Sequence, residues 1–392
     1  MQRSERRILT THVGSLPRNP VLRDLLVRQE RGEPIDRPEL DRQVGAAVDR
    51  VVAKQLDAGI DIGNDGEQPR VGFSTYAAQR MRGFGGESKR PVSLDLLDHP
   101  DYGELLGYRR RNSSRIMNAP QAIAPVEYIG EAEAVRECEV FGAALERARP
   151  RAFTEPFMTA ASPGVIACVL LNAHYPSHEA YVDALAAQMK KEYELIHANG
   201  YVLQIDAPDL AMERPRLFQK DSLDRFLQIA AHHVVAINRA CAAIPRDRIR
   251  LHVCWGNYDG PHTHDVPLEP LLPILYKANV GALSIEMANP RHEHEWKAIK
   301  RVGFPEHMLL LPGVIDSTSN YVEHPEVVSD RIERAVEAIG DRTRVIASTD
   351  CGFGTFAGSD MVADSVVWAK LATLAEGARL ASSRLWGTTA RA

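Results

Sequence analysis

A histidine and a cysteine stand two residues apart in "LHVCWG" (251–256). In a strand, residues i and i+2 face the same side. His252 and Cys254 would then present an imidazole nitrogen and a thiol in one direction, both of them zinc ligand types. Taken alone, the pair is equally a buried cysteine beside a hydrogen-bonded histidine. Other residues have to separate the two readings.

Those residues recur at the ends of short apolar runs. His12, Gly14 and Ser15 end the first run, and Asp65 and Glu67 follow the second. Asp206 and Asp209 follow the fourth, Glu286 the sixth, Asp316 the seventh, and Asp350 with Cys351 the eighth. Cys351 by itself would be a buried core cysteine. With His252, Cys254 and Glu286 it makes two thiolates, one imidazole and one carboxylate, a tetrahedral donor set for Zn2+. Two thiolates leave the metal electron-rich and a poor activator of water. Such a centre suits stabilising a substrate thiolate that remains nucleophilic.

The elements that must position these groups can be read from the same runs. There are eight: "ILTTHVGS" (8–15), "IDIGNDG" (60–66), "AFTEPFMTA" (152–160), "YVLQIDAP" (201–208), "IRLHVCWG" (249–256), "ALSIEMAN" (282–289), "MLLLPGVID" (308–316) and "RVIASTDCG" (344–352). Several lack clean alternation, as parallel strands buried on both faces do. "KQLDAGIDIG", "ELIHANGYVLQ" and "LYKANVGALSI" each pass from a helical pattern through Gly into a strand, and Gly closes a helix without steric penalty. Eight βα units predict a (β/α)8 TIM barrel, whose active site forms at the C-terminal strand ends. An open doubly wound sheet is disfavoured, because no G-x-G-x-x-G turn follows the first strand. The whole chain, 1–392, reads as one barrel domain, with about 72–150 inserted after the second strand as a lid or cap over the mouth. Phe73 and Tyr76 open this insertion, either as part of the lid or packed into its base. The stretch from Asp360 to Gly387 predicts a long amphipathic helix.

Composition sets limits. Of 392 residues, 44% are hydrophobic and 25% charged, with a net charge of −5, ordinary for a soluble globular protein. No long basic run suggests a nucleic-acid partner; the densest, Arg109 to Arg115, reads as a solvated face. No apolar run approaches the ~20 residues of a membrane span, and the N-terminus lacks a secretory pattern. Five scattered cysteines argue for a reducing, cytoplasmic setting. Cys138, Cys168 and Cys241 fall on helical patterns and read as small buried residues. The expected partners are small molecules, a thiol and a donor to it, with no nucleic acid and no membrane, for a possible homo-oligomer. His262 and His264 in "WGNYDGPHTHD" have metal-like spacing but read as loop residues.

The motifs "TTHVGSLPR" (10–18), "NDGEQPR" (64–70), "LQIDAPDL" (203–210), "LHVCWG", "SIEMAN" (284–289), "PGVIDST" (312–318) and "STDCGFG" (348–354) resemble, in order, the cobalamin-independent methionine synthase family. The likeness is to its C-terminal catalytic barrel and covers nearly the whole chain outside the insertion. It implies a zinc-dependent transfer of a methyl group to homocysteine, with His252, Cys254, Glu286 and Cys351 as zinc ligands. It also implies that the Val13 backbone and Ser15 grip the amino acid part of the acceptor, and that Glu67 and Asp206 bind its ammonium at the catalytic centre.

Three positions depart from the family pattern. D-E-P is Asp206-Ala207-Pro208, the T-G-P segment is "TAASPG" (159–164), and Thr318 stands where a proton-donating histidine is usual. The departures make methylfolate an expected poor donor, with His262, His264 and His324 as substitute acids. Three other readings compete. One is an epoxyalkane:coenzyme M transferase-like enzyme, with Arg18, Arg70, Arg80 or Arg82 as a sulfonate clamp. Another is a zinc-binding protein without catalysis. The last is a uroporphyrinogen-decarboxylase-like barrel, which needs no zinc.

Overall fold

Runs such as VLQID and IRLHV bury every residue, because one face packs into a barrel lumen and the other against helices. The computed structural model describes residues 1–109, 114, 117–359 and 361–387. Among these the strands are β1 (Leu9–Thr10), β2 (Met81–Gly85), β3 (Gln121–Tyr128), β4 (Phe157–Ala161), β5 (Val202–Asp206), β6 (Ile249–Val253), β7 (Ala282–Ile285), β8 (Leu309–Ile315) and β9 (Ile346–Thr349). Seven of them form one curled sheet in the order β1-β9-β8-β7-β6-β5-β4. Its pairings are parallel.

Residues 60–64 close the ring. Ile62 bridges Thr11 in parallel, and on the other side Phe157 N–H donates to Gly63 O at 3.0 Å. This second stave is recognisable in sequence yet too irregular to count as a strand. Its Asn, Asp and Gly residues turn the chain early. With it, the eight expected staves are present, each followed by an outer helix, and the fold is the expected TIM barrel. The predicted last helix runs Asp364–Trp386.

Within residues 72–150, β2 and β3 form an antiparallel hairpin, flanked by the short helices Ala77–Arg80, Leu94–Asp98 and Pro100–Arg109. The last helix of this stretch, Glu131–Ala148, packs beside Arg37–Asp57 and His178–Ala198 and so stands in the outer ring. The part before it reaches over the barrel mouth. Asp95 accepts hydrogen bonds from Thr263 N and Oγ1, both at 2.8 Å, and Leu94 N–H donates to Pro215 O at 2.9 Å. Most of the basic stretch from Arg109 to Arg115 lies outside the described residues.

The base of the hairpin is fixed by buried charges. Arg70 pairs with Glu137 at 2.9 Å, while Arg80 pairs with Glu137 and, at 3.0 Å, with Glu192. Tyr76 and Tyr128 donate to the two oxygens of Glu192 at 2.6 and 2.7 Å. Two guanidiniums and two carboxylates thus balance in a dry interior, the condition under which buried ion pairs are tolerated. Tyr76 belongs to this base, whereas Phe73 packs at a tilt against Phe356, ring centres 5.5 Å apart, in the mouth. Cys138, Cys168 and Cys241 are buried and unbridged, as expected. No described helix is long and apolar enough to cross a membrane.

Candidate active site

Strand register brings the chemistry together. Asp206 on β5 is the register partner of His252 on β6, and one level below, Gln204 partners Arg250. Alternation points all four into the lumen. The lower pair is polar but fully engaged. Arg250 donates to Thr11 Oγ1 at 3.1 Å and to His12 O at 2.9 Å, and Gln204 Nε2 donates to Val13 O and, at 2.7 Å, to Asp206 Oδ1. The floor beneath the mouth therefore holds Asp206 and the Val13 backbone in place. Below it, Leu9, Ile62, Phe157, Val202 and Leu311 form an apolar plug.

The chain leaves β6 at Cys254 and β9 at Cys351. Ligand atoms of His252, Cys254 and Cys351 lie within 4.8 Å of one another, and His252 Nε2 is 3.6 Å from Cys351 Sγ. All three residues are buried. Burial pulls the His252 pKa down to about 3, so the imidazole is neutral and able to ligate. Contact with Cys254 and burial push the Cys351 thiol well above its usual range. Two thiols and a neutral imidazole fit Zn2+.

Glu286 stands beside this trio and is not within the same 4.8 Å group. Its Oε2 accepts from Trp255 N at 3.0 Å, and its Oε1 from Asn289 Nδ2 at 3.0 Å. The loop bearing it is pinned by Asp350, the neighbour of Cys351, which accepts the N–H groups of Met287, Ala288 and Asn289 at 2.9, 2.8 and 2.7 Å. A second group, His262, Asp265 and His292, sits behind Trp255. Its contacts of 2.7 and 2.9 Å are hydrogen bonds through Asp265.

Glu67 and Asp206 reach the same cavity as His252, Cys254 and Cys351. Glu67 holds a left-handed backbone, φ 53°, uncommon for a residue with a side chain. Its Oε1 accepts from Thr159 Oγ1 at 3.0 Å, while Oε2 is buried with no protein donor. Burial raises the Glu67 pKa to about 7 against the pull of Arg70 and Arg18. Burial and the charge of Glu67 hold Asp206 well above the usual carboxylate range. Two such carboxylates are poised to gain from a cationic ligand. Gly14 allows the approach, since a Cβ there would lie 2.8 Å from Glu67 Oε1.

Val13 and Ser15 also line the cavity. The Val13 N–H donates to Thr349 Oγ1 at 3.3 Å. Ser15 lies so close to Gly352 that a Cβ on that glycine would come within 2.0 Å of Ser15 Oγ.

Several lining residues were not singled out from sequence: Phe73's partner Phe356, Met212, Asn257, Tyr258, Arg216 and Arg90. The arginines weighed as an anion clamp are placed elsewhere. Arg18 donates to Gly354 O and Glu67 O, Arg70 and Arg80 are spent in the buried ion pairs, and Arg82 is exposed beside Glu127. For Arg70 and Arg80, nearness to Glu67 in sequence was a poor guide, because Glu137 and Glu192 were closer acceptors.

The substitute acids fare similarly. His264 bonds Asp98 at 2.6 Å, His324 caps the helix Pro325–Ile339, and His262 is tied to Asp265. Thr318 Oγ1 is turned to Asp316 at 2.8 Å. None of these four lines the cavity among the described residues.

Comparison with known proteins supplies the lineage. Methionine synthase of Saccharolobus solfataricus is 22% identical over 380 residues, covering 96% of this chain and 95% of that one. The Sulfurisphaera tokodaii methionine synthase is 22% identical over 383 residues, covering 96% and 93%. The B12-independent methionine synthase from Shewanella sp. W3-18-1, solved in complex with selenomethionine, superposes with a TM-score of 0.71 at 20% identity, over 97% of this chain and 99% of that one. A putative vitamin-B12 independent methionine synthase from Listeria monocytogenes gives 0.61 at 18% identity, over 95% and 98%. These likenesses establish the fold. Residues 165–372, more than half of the chain, match the family described as cobalamin-independent synthase, catalytic domain. The chain belongs to the cobalamin-independent synthase catalytic-domain family.

Proposed function

We propose that the protein is a zinc-dependent methyltransferase that methylates the thiol of homocysteine to give methionine. One observation carries the reading. A His–Cys–Cys trio and a pair of carboxylates with raised pKa values share one cavity at the barrel mouth. The trio suits a thiol and the carboxylates suit an ammonium, and homocysteine presents both groups. Family membership and relatives named methionine synthases support the same activity.

His252, Cys254 and Cys351, with Glu286 beside them, are the residues that would hold Zn2+, which when bound would favour the thiolate form of the acceptor at neutral pH. Glu67 and Asp206 accept hydrogen bonds from the ammonium, and Gln204 and Thr159 keep those carboxylates aimed. The acceptor is thereby held at two ends, which fixes the sulfur for attack. Phe73, Val169, Met212 and Phe356 exclude water from the reacting methyl group. The sulfur forms a bond to the methyl carbon as the donor departs with the electron pair of the broken bond. Among the described residues His262, His264 and His324 do not line the cavity to replace Thr318 as an acid, which favours a donor reactive enough to leave without protonation.

The test is X-ray absorption at the zinc edge, with and without homocysteine, alongside methionine detection by mass spectrometry. One added sulfur neighbour on the metal is expected. An unchanged shell under saturating homocysteine would refute the proposal.

A further inference from the structure

Arg90 comes from the insertion and lines the cavity that holds the His–Cys–Cys trio. Its side chain is 1% exposed. One nitrogen, Nη2, pairs with Glu213, and the other two, Nε and Nη1, are buried with no protein acceptor. Glu213 is similarly half used, its Oε2 lacking a donor. A guanidinium whose donors are unsatisfied is costly in a dry site, because each unpaired buried donor carries its full desolvation penalty. A ligand that supplies an oxyanion removes that cost.

We infer that Arg90 is the recognition residue for a carboxylate on the methyl donor, whose body is apolar. The inference rests on the thiol-methyltransferase reading for the word donor, and on cavity geometry alone for the carboxylate. The apolar body is implied by Phe73, Val169, Met212 and Phe356, which line the same cavity. The acceptor's own carboxylate is the other source of such an anion. In an amino acid it shares one carbon with the ammonium, so it must lie beside Glu67 and Asp206. The guanidiniums whose charge bears on those two residues are Arg70, Arg18 and Arg250, while Arg90 is held against Glu213. Ser15, which also lines the cavity, adjoins Gly14, where a Cβ would lie 2.8 Å from Glu67 Oε1.

The probe is 4-phenylbutyrate against its neutral amide, 4-phenylbutanamide, titrated calorimetrically into zinc-loaded protein. The acid should bind about tenfold or more tightly than the amide, as loss of a charge-assisted hydrogen bond predicts. That preference should vanish in Arg90→Gln, survive in part in Arg90→Lys, and persist in protein saturated with homocysteine. Equal binding of acid and amide by the wild type, or no binding of either, would overturn the inference without recourse to any variant. So would an undiminished preference in Arg90→Gln. Displacement of the acid by homocysteine but not by 3-mercaptopropylamine, which lacks only the carboxylate, would assign Arg90 to the acceptor and overturn it too. Absence of methyl transfer with the acid preference intact would sink the proposed reaction and leave the carboxylate site standing.

Discussion

Glu67→Gln should make the protein more stable at pH 8 and worse at binding homocysteine. Glu67 is fully buried, and its pKa rises from an ordinary 4.5 to about 7, with burial the largest cause. Between those pH values the folded chain keeps a proton that the unfolded chain has lost. Stability from this group is therefore complete below pH 4.5 and falls as pH rises through 7. At roughly 1.4 kcal/mol per pH unit, the loss comes to about 3 kcal/mol above pH 7. Glutamine has no proton to lose and can still accept from Thr159. Relief of Asp206, which Glu67 pushes upward, acts in the same direction.

Urea unfolding of wild type and variant at pH 5 and pH 8 measures the difference. The gap should open in favour of Glu67→Gln at pH 8 and nearly close at pH 5. Homocysteine titration at pH 8 should show about tenfold or more weaker binding by the variant, for want of an ionised partner to the ammonium. Wild-type affinity should itself fall as pH is lowered through 7. Identical pH dependence of stability in the two proteins would refute the assignment of a buried, proton-holding Glu67.

Cys351→Ser should lower bound zinc, read by elemental analysis, from about one per chain to well below one while circular dichroism stays barrel-like; full occupancy would remove Cys351 from the centre. Asp206→Asn should raise KM for homocysteine by about tenfold or more with zinc content unchanged, and equal use of homocysteine and simple non-amino thiols by wild type would defeat the ammonium site. Methylfolate should be a poor methyl donor to homocysteine compared with a more reactive methyl compound, because Thr318 is a very weak acid turned to Asp316. Rapid, saturable turnover with the folate would contradict that reasoning.

Much of this arrangement is legible in the sequence because barrel chemistry obeys position. Buried parallel strands leave apolar runs, and polar residues at their ends point to the mouth, so His252, Cys254, Cys351, Glu67 and Asp206 could be gathered before any coordinates. What was not legible depends on long-range packing. Arg90 lies in an insertion with no strand periodicity, and its partner Glu213 is 123 residues away. Arg70 and Arg80 looked available beside Glu67, yet their acceptors Glu137 and Glu192 sit on helices whose facing side only the fold decides. The second stave carried a recognisable motif, but regular pairing failed there because the chain turns at Asn64, Asp65 and Gly66.

The charge cluster at the base of the hairpin also decides where the mouth can open. Swinging the hairpin away from the outer ring of helices would separate Arg80 from Glu137 and Glu192, and Tyr128 from Glu192, and strand charges in a low-dielectric interior, at a cost of several kcal/mol. The outer part is fastened differently, by separate contacts such as those of Asp95 with Thr263, Leu94 with Pro215, Asp98 with His264 and Arg90 with Glu213. The root of the insertion is thus built into the barrel wall, whereas its tip is held by contacts that can break singly.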